Sequence, residues 1–158
     1  MHLMKFIKLY TMNKLFKLVL PFAALLLVSF TNKTTEQEEV IKIIHKVNRY
    51  WQKQNPEHGR AFWDNAVYHT GNMEAYFLTG TAEYKNYSEA WAQKNEWKGA
   101  KSEKKAEWKL TYGESNDYVL FGDYQVCFQT YCDLYTADPD PRKIARARQV
   151  MEHEMSTA

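Results

Sequence analysis

The sequence is poor in cysteine, glycine and proline, with two, six and four of them in 158 residues. Two cysteines, Cys127 and Cys132, are too few for a disulfide-stapled scaffold. On one helix, their five-residue spacing sets them about 7.5 Å apart along the axis and on different faces, so a disulfide is not expected and both read as small packing residues. CxxC, HExxH and clustered His/Cys spacings are absent, which leaves zinc and redox sites without support and predicts no metal or cofactor. Neither a G-x-S-x-G elbow nor a glycine-rich phosphate loop occurs. An excess of one charge is missing too: 21 basic against 19 acidic side chains give +2, and four of the lysines precede residue 18, so nucleic acid is not expected as a partner.

The one long apolar run, Leu18 to Phe30, follows Lys5, Lys8, Lys14 and Lys17 and precedes Thr31-Asn32-Lys33-Thr34. That order fits a signal peptide over 1–31 and export to the periplasm or the outside of the cell. The competing membrane anchor fits less well, because thirteen apolar residues make about 20 Å of helix where a bilayer needs about 30 Å; no stable membrane insertion is expected. Setting the leader aside leaves enough chain for one small domain.

From residue 35 the periodicity is helical and β-branched runs are few. Thr35 and Glu38 form a capping box, and Val40, Ile43, Ile44, Val47 and Trp51 fall on one face until Asn55-Pro56. A second helix is predicted over about 62–79, with Phe62, Ala66, Met73 and Phe77 inward, Trp63, Val67 and Tyr76 widening that face, and Gly80 as C-cap. A third, about 82–97, turns Tyr84, Tyr87, Ala90 and Trp91 inward. The lysine-rich stretch 98–109 reads as a solvated loop. A fourth helix near 117–136 buries Tyr124, Cys127, Phe128, Tyr131, Leu134 and Tyr135, and a fifth, opened by Asp140-Pro141, buries Ile144, Ala147, Met151 and Met155. The expectation is an all-α fold of antiparallel hairpins, as in α-solenoids or α/α toroids.

Two constellations suggest chemistry. Trp63-Asp64-Asn65-Ala66-Val67-Tyr68-His69-Thr70-Gly71 gathers aromatic faces, which pack on pyranose C–H groups, with amides that bond hydroxyls. Equally, Trp63 and Tyr68 are core aromatics and Asp64 favours a helix start. Asp123, early in an apolar helix beside Gly122, suits a general acid if aromatic neighbours desolvate it; otherwise it is an exposed first-turn aspartate. Asp117 and Asp133 are weaker candidates, and Glu152, His153 and Glu154 face different sides of one helix.

The residues Trp63-Asp64-Asn65-Ala66-Val67-Tyr68 and Gly71, then Leu78-Thr79-Gly80 and Tyr84, Glu89-Ala90-Trp91-Ala92, Asn95, Trp97, Gly122-Asp123, Gln129-Thr130-Tyr131 and Leu134-Tyr135 resemble the first part of the unsaturated uronyl and rhamnogalacturonyl hydrolases of glycoside hydrolase families 88 and 105. The likeness runs from about residue 40 to the end. It implies part of an (α/α)6 toroid over 35–158 and, as substrate, an oligosaccharide with a terminal unsaturated uronic acid, of pectin (rhamnogalacturonan) or related type. The implied reaction is hydration of the C4=C5 double bond: an aspartate protonates one alkene carbon, water adds to the other, and the hemiketal collapses to release the next sugar.

By the same resemblance Asp123 is the catalytic match, the first of the two important aspartates, and Trp63, Asn65 and Tyr68 are the substrate-binding match. Tyr124 stands where the family has a second acid, and Phe128 where it commonly has glycine. The principal acid/base, in a D-A-L-x-M stretch, would lie past residue 158. The expectation is therefore a truncated N-terminal portion, poorly active alone, prone to aggregate through open apolar faces, or completed by a C-terminal half. The alternatives are a non-catalytic helical carbohydrate-binding module and a protein-interaction module.

Overall fold

The computed structural model describes residues 35–157, so the expected leader at 1–31 lies outside the described residues. Among them the regular elements are all helical: α1 (35–54), α2 (Trp63–Thr79), α3 (Ala82–Lys94), a single turn α4 (Gly122–Gln125), α5 (Cys127–Ala137) and α6 (Ala145–Thr157). Short 3-10 turns lie at Lys105–Glu107 and Pro141–Ile144. No helix among the described residues is long and apolar enough to cross a membrane. The chain divides into two units, Met1–His45 and Lys46–Ala158. Of the first, residues 35–45 are described, all helical and mostly exposed. The second holds the rest of α1 and every later helix.

Local chemistry sets the boundaries. α2 ends at Gly80, whose φ of +68° suits a residue without Cβ and lets its N–H bond Tyr76 O at 2.8 Å. α3 stops at Asn95 rather than continuing to 97. There the Asn95 side chain, buried, accepts from Ala61 N (3.0 Å) and donates to Trp91 O (2.9 Å) and Gly59 O (3.2 Å). Capping α3 and fastening the entry to α2 with one amide favours stopping over another helical turn. Asp140 caps the turn begun by Pro141 as expected, accepting from Arg142 N at 3.0 Å.

Pairwise contacts give the directions. His69 and Asn72 of α2 meet Ser88 and Tyr84 of α3, so those helices are antiparallel. Gln125 bonds Glu154 and Asp138 bonds Lys143, so the chain from α5 to α6 also reverses. Phe62 meets Tyr124 and Thr70 meets Thr130, so α2 runs parallel to α4–α5. Two parallel helices, each followed by an antiparallel one, are consecutive hairpins. Counting interrupted α4–α5 as one, the described residues hold five helices, consistent with part of an all-α toroid.

Several expected faces are rotated. In α1, Val40, Ile43 and Val47 are exposed, while Asn48 is buried and Trp51 partly so. In α2, Trp63, Val67 and Phe77 are exposed; Ala66, His69, Asn72 and Met73 form the buried stripe, two of them polar and bonded to α3, His69 Nδ1 to Ser88 Oγ and Asn72 Nδ2 to Ser88 Oγ and Tyr84 O, while Asn72 Oδ1 is buried without a partner. In α6 and the turn before it, Lys143, Arg146, Ala147 and Val150 face inward, while Met151 and Met155 are exposed. Apolar periodicity missed these faces because polar side chains line them. Cys127 is fully buried, and burial pushes its thiol up to about 12; Cys132 is exposed and not the packing residue expected, and both are free.

The fourth helix begins at Gly122, not near 117, because the backbone of 116–120 pairs with the lysine-rich connection instead: Ser102 N to Asn116 O, Lys109 N to Asp117 O and Leu120 N to Lys109 O. That connection is not simply solvated. Ala100 and Trp108 are buried within it, and the buried Arg146 guanidinium lies 4.8 Å from the Trp108 ring while donating to Ala100 O (3.2 Å) and Ser102 O (2.5 Å).

Candidate active site

Because α2 and α4 run parallel, their first turns lie at one end of the helical layer. The rings of Phe62 and Tyr124 pack edge to face there at 4.8 Å, and the backbone of Gly99 presses on the Tyr124 carbonyl so closely that a Cβ at 99 would fall 1.9 Å from that oxygen. Glycine is required by contact rather than by φ. First-turn N–H groups lack helical acceptors and carry the positive end of the dipole, so this end favours anionic groups.

Asp123 occupies the second position of α4, partly exposed. Among the described residues its carboxylate has no hydrogen-bond or ion-pair partner, which leaves it available to a ligand. Trp63 opens α2 with its indole 50% exposed and no ring partner among the described residues. Asn65, two residues on, is partly buried; its Nδ2 donates to Asp64 Oδ1 at 3.1 Å, and its amide lies over Gly59, where φ is +64°.

Tyr68 is placed differently. Its ring stacks on Trp51 at 4.5 Å, and its hydroxyl donates to Asn48 Oδ1 at 2.9 Å and accepts from Gln52 Nε2 at 3.4 Å. Burial raises its phenol well above the ordinary value. At 100° per residue, Tyr68 points about 140° away from Trp63 around the helix. These contacts put Trp63, Asn65 and Asp123 at one end of α2 and α4, and Tyr68 in the packing between α1 and α2.

Two groups were not singled out by sequence. Arg60 lies over Phe62 at 4.2 Å and binds Glu114 at 2.9 Å, adding a half-exposed cation at this end. His69, undiagnostic by its sequence context alone, is buried between Trp91 (4.1 Å, 15°) and Tyr87 (5.5 Å, 18°), with Nδ1 3.1 Å from Ser88 Oγ. Burial first, and the neighbouring His58 second, lower its pKa to about 3, so it is a neutral packing group at ordinary pH. Nothing in its one-letter context marked this, since the three rings come from separate turns of two helices.

The remaining candidates are dispersed. Asp117 is ion-paired to Lys109 and hydrogen-bonded by Ser115, which hold its carboxyl below the ordinary value. Asp133 bonds Gln129 at 2.9 Å; burial raises its carboxyl, with a smaller contribution from Glu74 on α2. Glu154 bonds Gln125 while His153 packs on Trp108, so these neighbours diverge. No group of three or more His, Cys, Asp or Glu positioned for a metal occurs among the described residues. A separate cleft of about 450 Å³, lined by Glu89, Trp97, Asp138 and Lys143 among others, contains none of the four expected site residues.

A family model, Glycosyl Hydrolase Family 88, matches residues 36–158. Two solved structures are similar. A glycosyl hydrolase family 88 protein from Bacteroides vulgatus is 63% identical with a TM-score of 0.74, the match covering 77% of this chain and 35% of that one. A protein described as a polysaccharide lyase is 73% identical with a TM-score of 0.73, over 75% of this chain and 33% of that one. The chain thus spans about a third of the length of each. No curated protein matches it. With the family model covering most of its length and helices of the same arrangement in both structures, the chain belongs to glycosyl hydrolase family 88.

Proposed function

We propose that this chain supplies one wall of the active site of an exported hydrolase that removes a terminal unsaturated uronic acid from rhamnogalacturonan-type or related oligosaccharides. The observation that carries the reading is the unpartnered carboxylate of Asp123 in a first helical turn, at the same end as the exposed indole of Trp63. Trp63 offers an apolar face to the sugar's C–H groups. Asn65 offers an amide for hydroxyls once it turns from Asp64. Tyr68, the fourth family match, braces this stretch of α2 through Trp51 and Asn48.

In the proposed reaction the C4=C5 double bond accepts a proton on one carbon and water on the other. The hemiketal so formed collapses and releases the next sugar. Asp123 acts in this proton transfer together with a second carboxylate from the part of the fold that this chain, at about a third of its relatives' length, does not span. The positive ends of α2 and α4 suit the uronate carboxylate.

A chimera in which residues 36–158 replace the matching third of the Bacteroides vulgatus family 88 protein tests the reading. Incubated with an unsaturated disaccharide and its saturated counterpart, it should consume only the former, seen as loss of alkene ultraviolet absorbance with release of the second sugar. A folded chimera that leaves the alkene intact contradicts the proposal.

A further inference from the structure

The cleft of about 450 Å³ lies between α3 and the turn that follows α5. None of its lining comes from α2 or α4, which carry Trp63, Asn65 and Asp123. Its volume falls among those of pockets that take small ligands. The most buried member is Lys143, 3% exposed, whose ammonium lies 3.1 Å from Glu89 of α3 and 3.1 Å from Asp138 at the end of α5. Two carboxylates thus balance a charge taken out of water. Asp140 accepts from Arg142 Nε at 2.9 Å and from Arg142 N at 3.0 Å, and these hydrogen bonds bring its carboxyl down to about 2. The aromatic member is Trp97, partly buried, with its ring centre 5.7 Å from the Lys143 ammonium and its ring tilted against Tyr131 at 5.5 Å. Glu96 and Trp97 leave α3 with φ of +60° and +58°, a left-handed conformation that side chains bearing a Cβ rarely adopt. The backbone holds the indole beside Lys143 at the cost of that strain.

We infer that this cleft is a carbohydrate site separate from the one at α2 and α4, and that it takes a neutral pyranose residue of an oligosaccharide. The lining decides the class of ligand. Ionised Glu89, Asp138 and Asp140 only accept hydrogen bonds, whereas Lys143 and Arg142 only donate them. A sugar hydroxyl does both, so it accepts from one of the cations while donating to a neighbouring carboxylate. A uronate or a phosphate only accepts, and it meets three carboxylates already holding the two cations. An ammonium only donates, and it meets the two cations. The Trp97 ring offers an apolar face for the pyranose C–H groups. The inference rests on this lining and not on the substrate proposed above.

The test follows the indole N–H signal of Trp97, assigned by its loss in Trp97→Phe, in nitrogen–proton spectra of the full chain. The neutral probes are β-1,4-galactotetraose and cellotetraose, and the anionic probe is tetragalacturonate. At least one neutral probe should shift the signal saturably with a Kd of about 1 mM, and tetragalacturonate should bind roughly tenfold more weakly or not at all. Arg142→Ala and Asp138→Asn, both at exposed side chains, should each weaken binding roughly fivefold while leaving the helical circular dichroism unchanged. Asp123→Asn, outside the cleft, should leave it as it is. The inference is overturned if neither neutral probe moves the signal by about 20 mM, if tetragalacturonate binds as well as they do, or if binding is indifferent to both cleft substitutions. Loss of binding in folded Asp123→Asn overturns it as well. Binding at the cleft by a chain whose chimera leaves the unsaturated disaccharide intact contradicts the substrate reading and upholds this one.

Discussion

The rings of Phe62 and Tyr124 meet edge to face at 4.8 Å, and this contact brings the first turn of α2 to the first turn of α4. Trp63 and Asp123 are the sequence neighbours of these two rings, so the packing of a buried aromatic pair fixes the two helix starts that carry the proposed site residues. Edge-to-face pairs contribute about 0.5–1.5 kcal/mol beyond their burial.

Gly99 controls how closely that end can pack. Alanine at 99 would place its Cβ 1.9 Å from the Tyr124 carbonyl oxygen, and the backbone there must move. Gly99→Ala should lower stability by about 1–3 kcal/mol, measured as a lower urea midpoint, and should perturb the environment of Asp123 in a chimera more than it perturbs distant α6.

His69 gives the fold an acid limit. Unfolded, it takes up a proton near pH 6.5; in its stacked, buried position it does so only at about 3. Between these values the unfolded chain binds more protons, so stability rises with pH across the window and is lost as pH falls through it. The limiting slope is about 1.4 kcal/mol per pH unit. His69→Phe should flatten the pH dependence of the denaturation midpoint between pH 4 and 6, leaving the smaller contribution of His58, which is lowered in the same direction.

Arg146 holds the 98–109 connection through Ala100 and Ser102 carbonyls and the Trp108 ring. Arg146→Met leaves those carbonyls short of donors and should cost about 2–4 kcal/mol. Trypsin should then cut the lysines of this segment much faster than in the parent.

Helix number, the Gly80 and Asp140 caps and the family were readable in the sequence, because glycine, proline and capping residues act locally. Faces were harder to read. Asn48, His69, Asn72, Lys143 and Arg146 are buried polar groups whose partners lie on other elements, and a periodicity of apolar residues cannot register a partner that tertiary structure supplies. The late start of α4 has a related origin: the backbone of 116–120 bonds the preceding connection at Ser102 and Lys109, a pairing that helical periodicity does not register. Of the candidate site, the family motif pointed to Asp123 and Trp63, and the structure sets both in the first turns of their helices. The divergence of Tyr68 was not legible, since its orientation depends on Trp51 and Asn48.

The most direct measurement compares Asp123→Asn with its parent in the chimera carrying residues 36–158, following alkene loss from an unsaturated disaccharide. Because the Asp123 side chain is unpartnered among the described residues, stability should change by less than about 1 kcal/mol. Turnover should fall by roughly 10²–10⁴-fold. Equal turnover by the two folded proteins would contradict the assignment of Asp123 to the reaction.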